Sequence, residues 1–115
     1  MFIQILHIVA AIATILTGLY SLFKPAGVTG FTGLQPVGGR GITEIRSILG
    51  GVFIALGTIP LVLNSPDAYL ILGITYLVIA LVRLISMFLD GSVVSSNVIS
   101  LGVEIVFGVI LVIPA

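Results

Sequence analysis

Four long apolar runs account for most of this chain, and they constrain its fold more than any other feature. The runs are predicted at residues 2–23, 42–64, 68–89 and 95–113. A helix needs about 20 predominantly apolar residues to cross a bilayer, at about 1.5 Å per residue. Only 7% of the 115 residues are charged, against about 25% in soluble domains, which is too few to cover a water-facing surface. The sequence therefore predicts an integral membrane protein.

The connections between the runs predict how the helices are arranged. Residues 24–41 are rich in glycine and proline and are predicted to form one long loop, whereas the other two connections are short. Short connections place consecutive helices side by side and antiparallel. We predict a single all-α domain over residues 1–115, an up-down-up-down bundle of four transmembrane helices.

The start of the second run, Thr43–Gly51, places two charges at the N-terminal end of a predicted helix. Thr43 is predicted to be the N-cap, and Glu44 then lies in the first turn, where the helix dipole favours a carboxylate. Ser47, Gly51 and Ala55 recur every four residues. Rows of small residues allow close helix packing in lipid, so this row is predicted to be a packing surface.

Four charged residues, Glu44, Arg46, Arg83 and Glu104, lie in the half of the bundle nearest the long loop. Arg83 precedes Asp90 by seven residues, which places it about 10–12 Å from the loop side at 1.5 Å per residue. Glu104 lies at a similar depth in the fourth run. An unpaired ion in hydrocarbon costs several kcal/mol, so we predict that Arg83 pairs with Glu104 and that all four form an intramembrane polar cluster.

Three roles remain open for this cluster. It is either a polar staple that fixes helix register, an anionic-ligand or headgroup site using Arg46 and Arg83, or a proton relay through Glu104. Tyr76 lies deep enough to donate a hydrogen bond to the buried carboxylate or to a carbonyl.

His7 is the single histidine and the one candidate for cofactor binding. One imidazole does not make a zinc or haem site, which needs several ligands at defined geometry. We predict a core or interface position for His7, no metal and no cofactor of the chain's own. A pigment or lipid is expected only as a bound neighbour in a complex.

Several residues together carry a resemblance to a known family. They are Thr43-Glu44-Ile45-Arg46 with Gly50-Gly51 and Gly57, then Ala80, Arg83, Ser86 and Asp90-Gly91, then Glu104 with Gly108. The pattern resembles a widespread bacterial family of small four-helix integral membrane proteins of unknown function. That resemblance implies a four-helix bundle with a polar inner face, and no reaction. The layout is also similar to small DoxX-like membrane subunits, which accompany oxidoreductases, without a match of motifs.

Composition narrows the classes of function. Four Lys/Arg against four Asp/Glu leave no basic patch for nucleic acid, and the absence of cysteine excludes thiolate chemistry. No nucleophile–base pair or metal site is apparent, so an enzyme is not expected.

We predict a non-catalytic subunit that packs against other integral membrane subunits of a larger complex, respiratory or photosynthetic. The alternative is a stand-alone carrier of a small molecule, lipid headgroup, proton or ion, using the Arg/Glu cluster.

Orientation follows from the few exposed charges. Lys24 and Arg40 lie on the loop side, and positive charge favours the cytoplasmic face. We predict a bacterial inner or intracytoplasmic membrane, with the long loop cytoplasmic and both termini outside.

Overall fold

The computed structural model describes residues 1–115 and is all-α, without strands. The predicted fold class is therefore confirmed. The helices are α1 (Phe2–Phe23), the single turn α2 (Thr29–Thr32), α3 (Gly38–Leu63), α4 (Pro66–Leu89) and α5 (Ser95–Val112). Four of them, α1, α3, α4 and α5, are long and apolar enough to cross a membrane.

The first pair of long helices, α1 and α3, packs antiparallel with its backbones in contact. A Cβ atom added to Gly57 of α3 would lie 2.6 Å from the carbonyl oxygen of Ala11. A Cβ atom on Gly18 of α1 would lie 2.8 Å from the carbonyl oxygen of Gly50. Only glycine fits at such distances, so Gly18 and Gly57 both serve the contact between α1 and α3 inside the bundle.

The second pair, α4 and α5, forms another antiparallel hairpin. A Cβ atom on Gly73 would lie 2.8 Å from the Cβ of Leu111. The two hairpins join through a buried apolar core formed by Ala10, Ala11, Tyr69, Leu72, Tyr76 and Leu111. The outward faces carry mostly large aliphatic and aromatic side chains, which is the surface that lipid requires.

The second span begins earlier than the sequence predicts. Its first residue is Gly38, its N-cap is Val37, and no side chain caps it. Thr43 is therefore not the N-cap, and Glu44 lies beyond the first turn. Glycine costs about 1 kcal/mol in a helix interior. This segment nevertheless extends an existing helix and needs no new nucleus, and it gains an i,i+4 ion pair between Arg40 and Glu44.

Within α3, residues Ile45–Val52 form a π-helical segment. This widened stretch contains Gly50, whose added Cβ would lie 3.3 Å from the Cβ of Leu22 in α1. The π segment therefore packs against the last turn of α1. Periodicity of apolar residues did not predict it.

Residues 24–37 are more ordered than a simple loop. Pro25–Val28 forms a 3₁₀ turn and Thr29–Thr32 forms α2. Gly33 ends α2 in the left-handed conformation with φ 75°, which glycine adopts without steric cost. The 3₁₀ turn packs against α1, and α2 contacts α5 (Ser95–Val112).

Candidate functional site

Arg83 and Glu104 form a bidentate ion pair between α4 and α5. Arg83 Nε donates to Glu104 Oε1 and Nη2 donates to Oε2, each at 2.8 Å. The third guanidinium nitrogen, Nη1, donates to Oδ1 of Asn97 at 2.8 Å. Side-chain exposure is 31% for Arg83 and 10% for Glu104. All three nitrogens and both carboxylate oxygens are thus engaged inside the protein.

Asn97 extends this network to the connection between α4 and α5. Its Nδ2 donates to the carbonyl oxygen of Ser92 at 3.0 Å. Both ends of the Asn97 amide are therefore used, which fixes its orientation. Asn97 was missed from the sequence, although it precedes Glu104 by seven residues, two helical turns, and so shares its face.

Glu44 and Arg46 have other partners. Glu44 accepts from Arg40 at 2.9 Å in an exposed pair, with side-chain exposures of 50% and 79%. Arg46 Nε donates to the carbonyl oxygen of Leu22 at 3.1 Å. Hydrogen bonding thus divides the four charges, which were predicted to form one cluster, into two sets. One set belongs to the α1–α3 hairpin and the other to the α4–α5 hairpin.

The Arg46 contact has a clear physical role at the end of α1. Leu22 lies in the last turn of α1, where backbone carbonyls lack partners within the helix. A guanidinium there satisfies one carbonyl and interacts favourably with the negative end of the helix dipole. Arg46 therefore ties the beginning of the second span to the end of the first.

Tyr76 does not reach the buried carboxylate or a carbonyl, so that prediction is wrong. Its hydroxyl pairs instead with Thr14 Oγ1 across the bundle. The Thr14 hydroxyl already donates its single hydrogen to the carbonyl of Ala10. Tyr76 must therefore be the donor in the bond with Thr14.

His7 lies in the interior near the opposite end of the bundle. Its Nε2 is 2.8 Å from the carbonyl oxygen of Ile110 in α5, and its ring centroid lies 5.1 Å from that of Tyr69. No three His, Asp or Glu side chains meet in an arrangement that could hold a metal ion.

These features define the class of the molecule. It is a small helical membrane protein built from two antiparallel hairpins, with a closed ion-pair network inside one of them.

The chain belongs to a family described as "Domain of unknown function (DUF4345)", whose model matches residues 2–114. The expected membership of an uncharacterised family is thus confirmed. Comparison with curated proteins and with solved structures gives no match. The comparisons name no catalytic family and give no indication of an enzyme.

Proposed function

We propose that this protein is a non-catalytic integral membrane subunit that packs against transmembrane helices of partner subunits in a larger complex, respiratory or photosynthetic. The observation that carries the proposal is the small-residue face of α3, formed by Ser47, Gly51 and Ala55. All three residues are exposed on the outside of the bundle. The rest of the chain does not cover this face.

The small-residue face differs from the other small residues of the protein. Gly18, Gly50 and Gly57 lie in the contact between α1 and α3, so they are not available to a partner helix. A Cβ atom added to Gly51, in contrast, would meet nothing within 4 Å. Lipid chains are as apolar as leucine, so helices associate in a bilayer through close packing, and small residues permit it. The face is therefore suited to a helix from another subunit.

The closed network around Arg83 and Glu104 supports a structural role as well. A carrier or relay needs a group that can release its partner and take up a ligand or proton. Here both carboxylate oxygens accept hydrogen bonds from the same guanidinium. This geometry favours a fixed staple between α4 and α5.

The experiment compares substitutions at two glycines on different helices, each with free space around an added side chain. Gly51→Leu blocks the small-residue face, and Gly102→Leu adds the same side chain on α5, where a Cβ atom also meets nothing within 4 Å. Native membranes are extracted in mild detergent and separated on a native gel. We expect wild type and Gly102→Leu to migrate with larger subunits and Gly51→Leu to be released as a 12.0 kDa chain. Migration of wild type alone, or as copies of itself only, would contradict the proposal. Equal release of both variants would contradict the assignment to this face.

A second candidate function is supported by Arg46. Its Nη1 and Nη2 make no hydrogen bond within the protein, and the residue is exposed near the end that carries Lys24 and Arg40. These groups could hold an anionic lipid headgroup. If that is the function, Arg46→Ala should abolish the binding of phosphatidylglycerol to the detergent-purified protein, measured by native mass spectrometry, and the wild-type protein should purify without partner subunits. The subunit function is supported over lipid binding if Gly51→Leu is released from the complex while Arg46→Ala binds lipid as the wild type does.

The proposal includes the predicted setting, a bacterial inner or intracytoplasmic membrane with the long loop predicted at residues 24–41 cytoplasmic and both termini outside. Lys24 and Arg40 support this orientation, because positive charge is retained on the cytoplasmic side.

A further inference from the structure

A cavity of about 590 Å³ opens at the end of the bundle where both termini and the α3–α4 turn lie. Small-molecule sites in proteins typically measure about 300–1,000 Å³. The wall is largely apolar, and the polar residues that line it are Gln4, His7, Asn64, Asp67 and Tyr69. No residue of the small-residue face lines the cavity, so the site is independent of the proposed subunit contact.

His7 lines this cavity, and one of its two ring nitrogens has no partner in the protein. A carbonyl oxygen can only accept, so the bond to Ile110 requires that Nε2 carries the hydrogen. In the neutral ring Nδ1 is then the acceptor. Nδ1 has no partner in the protein, and no enclosed side-chain nitrogen or oxygen lacks one. Nδ1 is therefore not fully enclosed, although His7 as a whole is only 5% exposed.

Tyr69 and Asp67 complete the polar part of the site. Tyr69 is 7% exposed, its ring packs beside that of His7, and its hydroxyl has no protein partner. By the same argument that hydroxyl is not fully enclosed. Asp67 forms no ion pair and is the one charged side chain among the lining residues, which include no lysine or arginine. The cavity thus combines an acceptor lone pair, a negative charge and an apolar wall.

We propose that this cavity binds a small lipophilic molecule whose head is a protonated amine. The ammonium group donates to Asp67 and to Nδ1 of His7, and the hydrocarbon part lies along Leu70, Leu111 and Val112. An anionic head would meet Asp67 without a compensating cation, which is unfavourable at the edge of a membrane. The same ammonium chemistry is offered by a free amine or by an ethanolamine lipid headgroup, and the experiment separates these sources.

The test uses the 115-residue chain in phosphatidylcholine nanodiscs. Because His7 is the only histidine, labelling imidazole with ¹⁵N gives one Nδ1 and one Nε2 resonance. The probes are octylamine, octanol and octanoate, which share a chain and differ in the head group. We expect octylamine to shift the Nδ1 resonance saturably, octanol to bind more weakly and octanoate to have no effect. An Nδ1 resonance that responds to none of the probes, or equally to octanoate and octylamine, overturns the proposal.

Two aspartates provide a matched pair of variants. Asp67→Asn should weaken octylamine binding by about tenfold or more and leave octanol binding unchanged. Asp90→Asn, at the opposite end of α4, should change neither. Unchanged octylamine affinity in Asp67→Asn overturns the proposal, and if that variant does not fold, the wild-type probe series decides alone.

Replacing phosphatidylcholine with phosphatidylethanolamine identifies the source. An Nδ1 shift caused by that lipid supports the site and assigns it to the headgroup, whereas no shift together with unchanged octylamine binding supports a free amine.

Discussion

Arg83 on α4 and Glu104 on α5 are joined by two parallel hydrogen bonds of 2.8 Å, from Nε to Oε1 and from Nη2 to Oε2. This fork-to-fork geometry is the strongest form of an ion pair and fixes both distance and rotation. Since one partner lies on each helix, the pair sets the register of the α4–α5 hairpin. The backbone contact of Gly73 with Leu111 lies toward the other end of the same hairpin, so the two contacts together align its full length.

Removing one partner of this pair should be costly. Glu104→Gln leaves the Arg83 guanidinium without its counter-ion, and we expect a loss of about 2–3 kcal/mol in unfolding free energy. The value lies below the 3–5 kcal/mol of fully buried pairs because the Arg83 side chain is 31% exposed. Denaturation by SDS in mixed micelles, followed by circular dichroism, measures it.

The control for this prediction is Glu44→Gln in the exposed pair with Arg40, which should cost less than about 1 kcal/mol. The double variant Arg83→Met/Glu104→Met should be more stable than Glu104→Gln, because no unpaired charge remains. If the double variant is as unstable as Glu104→Gln, the ion pair itself contributes to the free energy of unfolding, in addition to fixing the register of α4 and α5.

Close packing of α1 and α3 makes glycine necessary at one position and dispensable at another. Gly57→Ala places a methyl group 2.6 Å from the carbonyl oxygen of Ala11, so the helices must separate. We expect a loss of about 1–3 kcal/mol in the same unfolding assay. Gly51→Ala, which meets nothing within 4 Å, should be neutral or slightly stabilising, since alanine favours a helix. Equal effects of the two variants would refute this packing arrangement.

The hydroxyl pair between Thr14 and Tyr76 predicts an asymmetry. Thr14→Val leaves the buried Tyr76 hydroxyl without an acceptor, which should cost about 1–3 kcal/mol. Tyr76→Phe should cost less, because Thr14 still donates to Ala10. The free energies of unfolding of the two single variants and of the double variant test this. A larger loss in Tyr76→Phe than in Thr14→Val would mean that Thr14, and not Tyr76, is the donor.

Orientation in the membrane can be measured directly because the chain has no cysteine. We expect a membrane-impermeant maleimide to label Ser65→Cys, in the α3–α4 turn, in intact cells. Gly30→Cys, in α2, should be labelled only after the cells are opened, because the Lys24 and Arg40 end is cytoplasmic. Gly30 has open space around an added Cβ, so the substitution itself should be harmless. The reverse labelling pattern would invert the proposed orientation.

Much of the α4–α5 hairpin could be anticipated from the sequence. Arg83 and Glu104 lie at similar distances from the short connection between α4 and α5. Residues at equal distances from a tight turn face each other in antiparallel helices, so their pairing could be predicted. The second helix was harder. Thr43 has the character of an N-cap, but α3 continues back to Gly38, since extending an existing helix is easier than starting one.

The amino-acid sequence by itself determined that the chain forms four membrane-length helices with few charges, because length and hydropathy are local properties. Tertiary structure alone decided which charges meet, which glycines contact a neighbouring backbone and which small residues remain outside. It also decided that His7, Asp67 and Tyr69 line one cavity. These outcomes depend on the rotation of each helix about its axis, and that rotation is set by the packing of all four helices together.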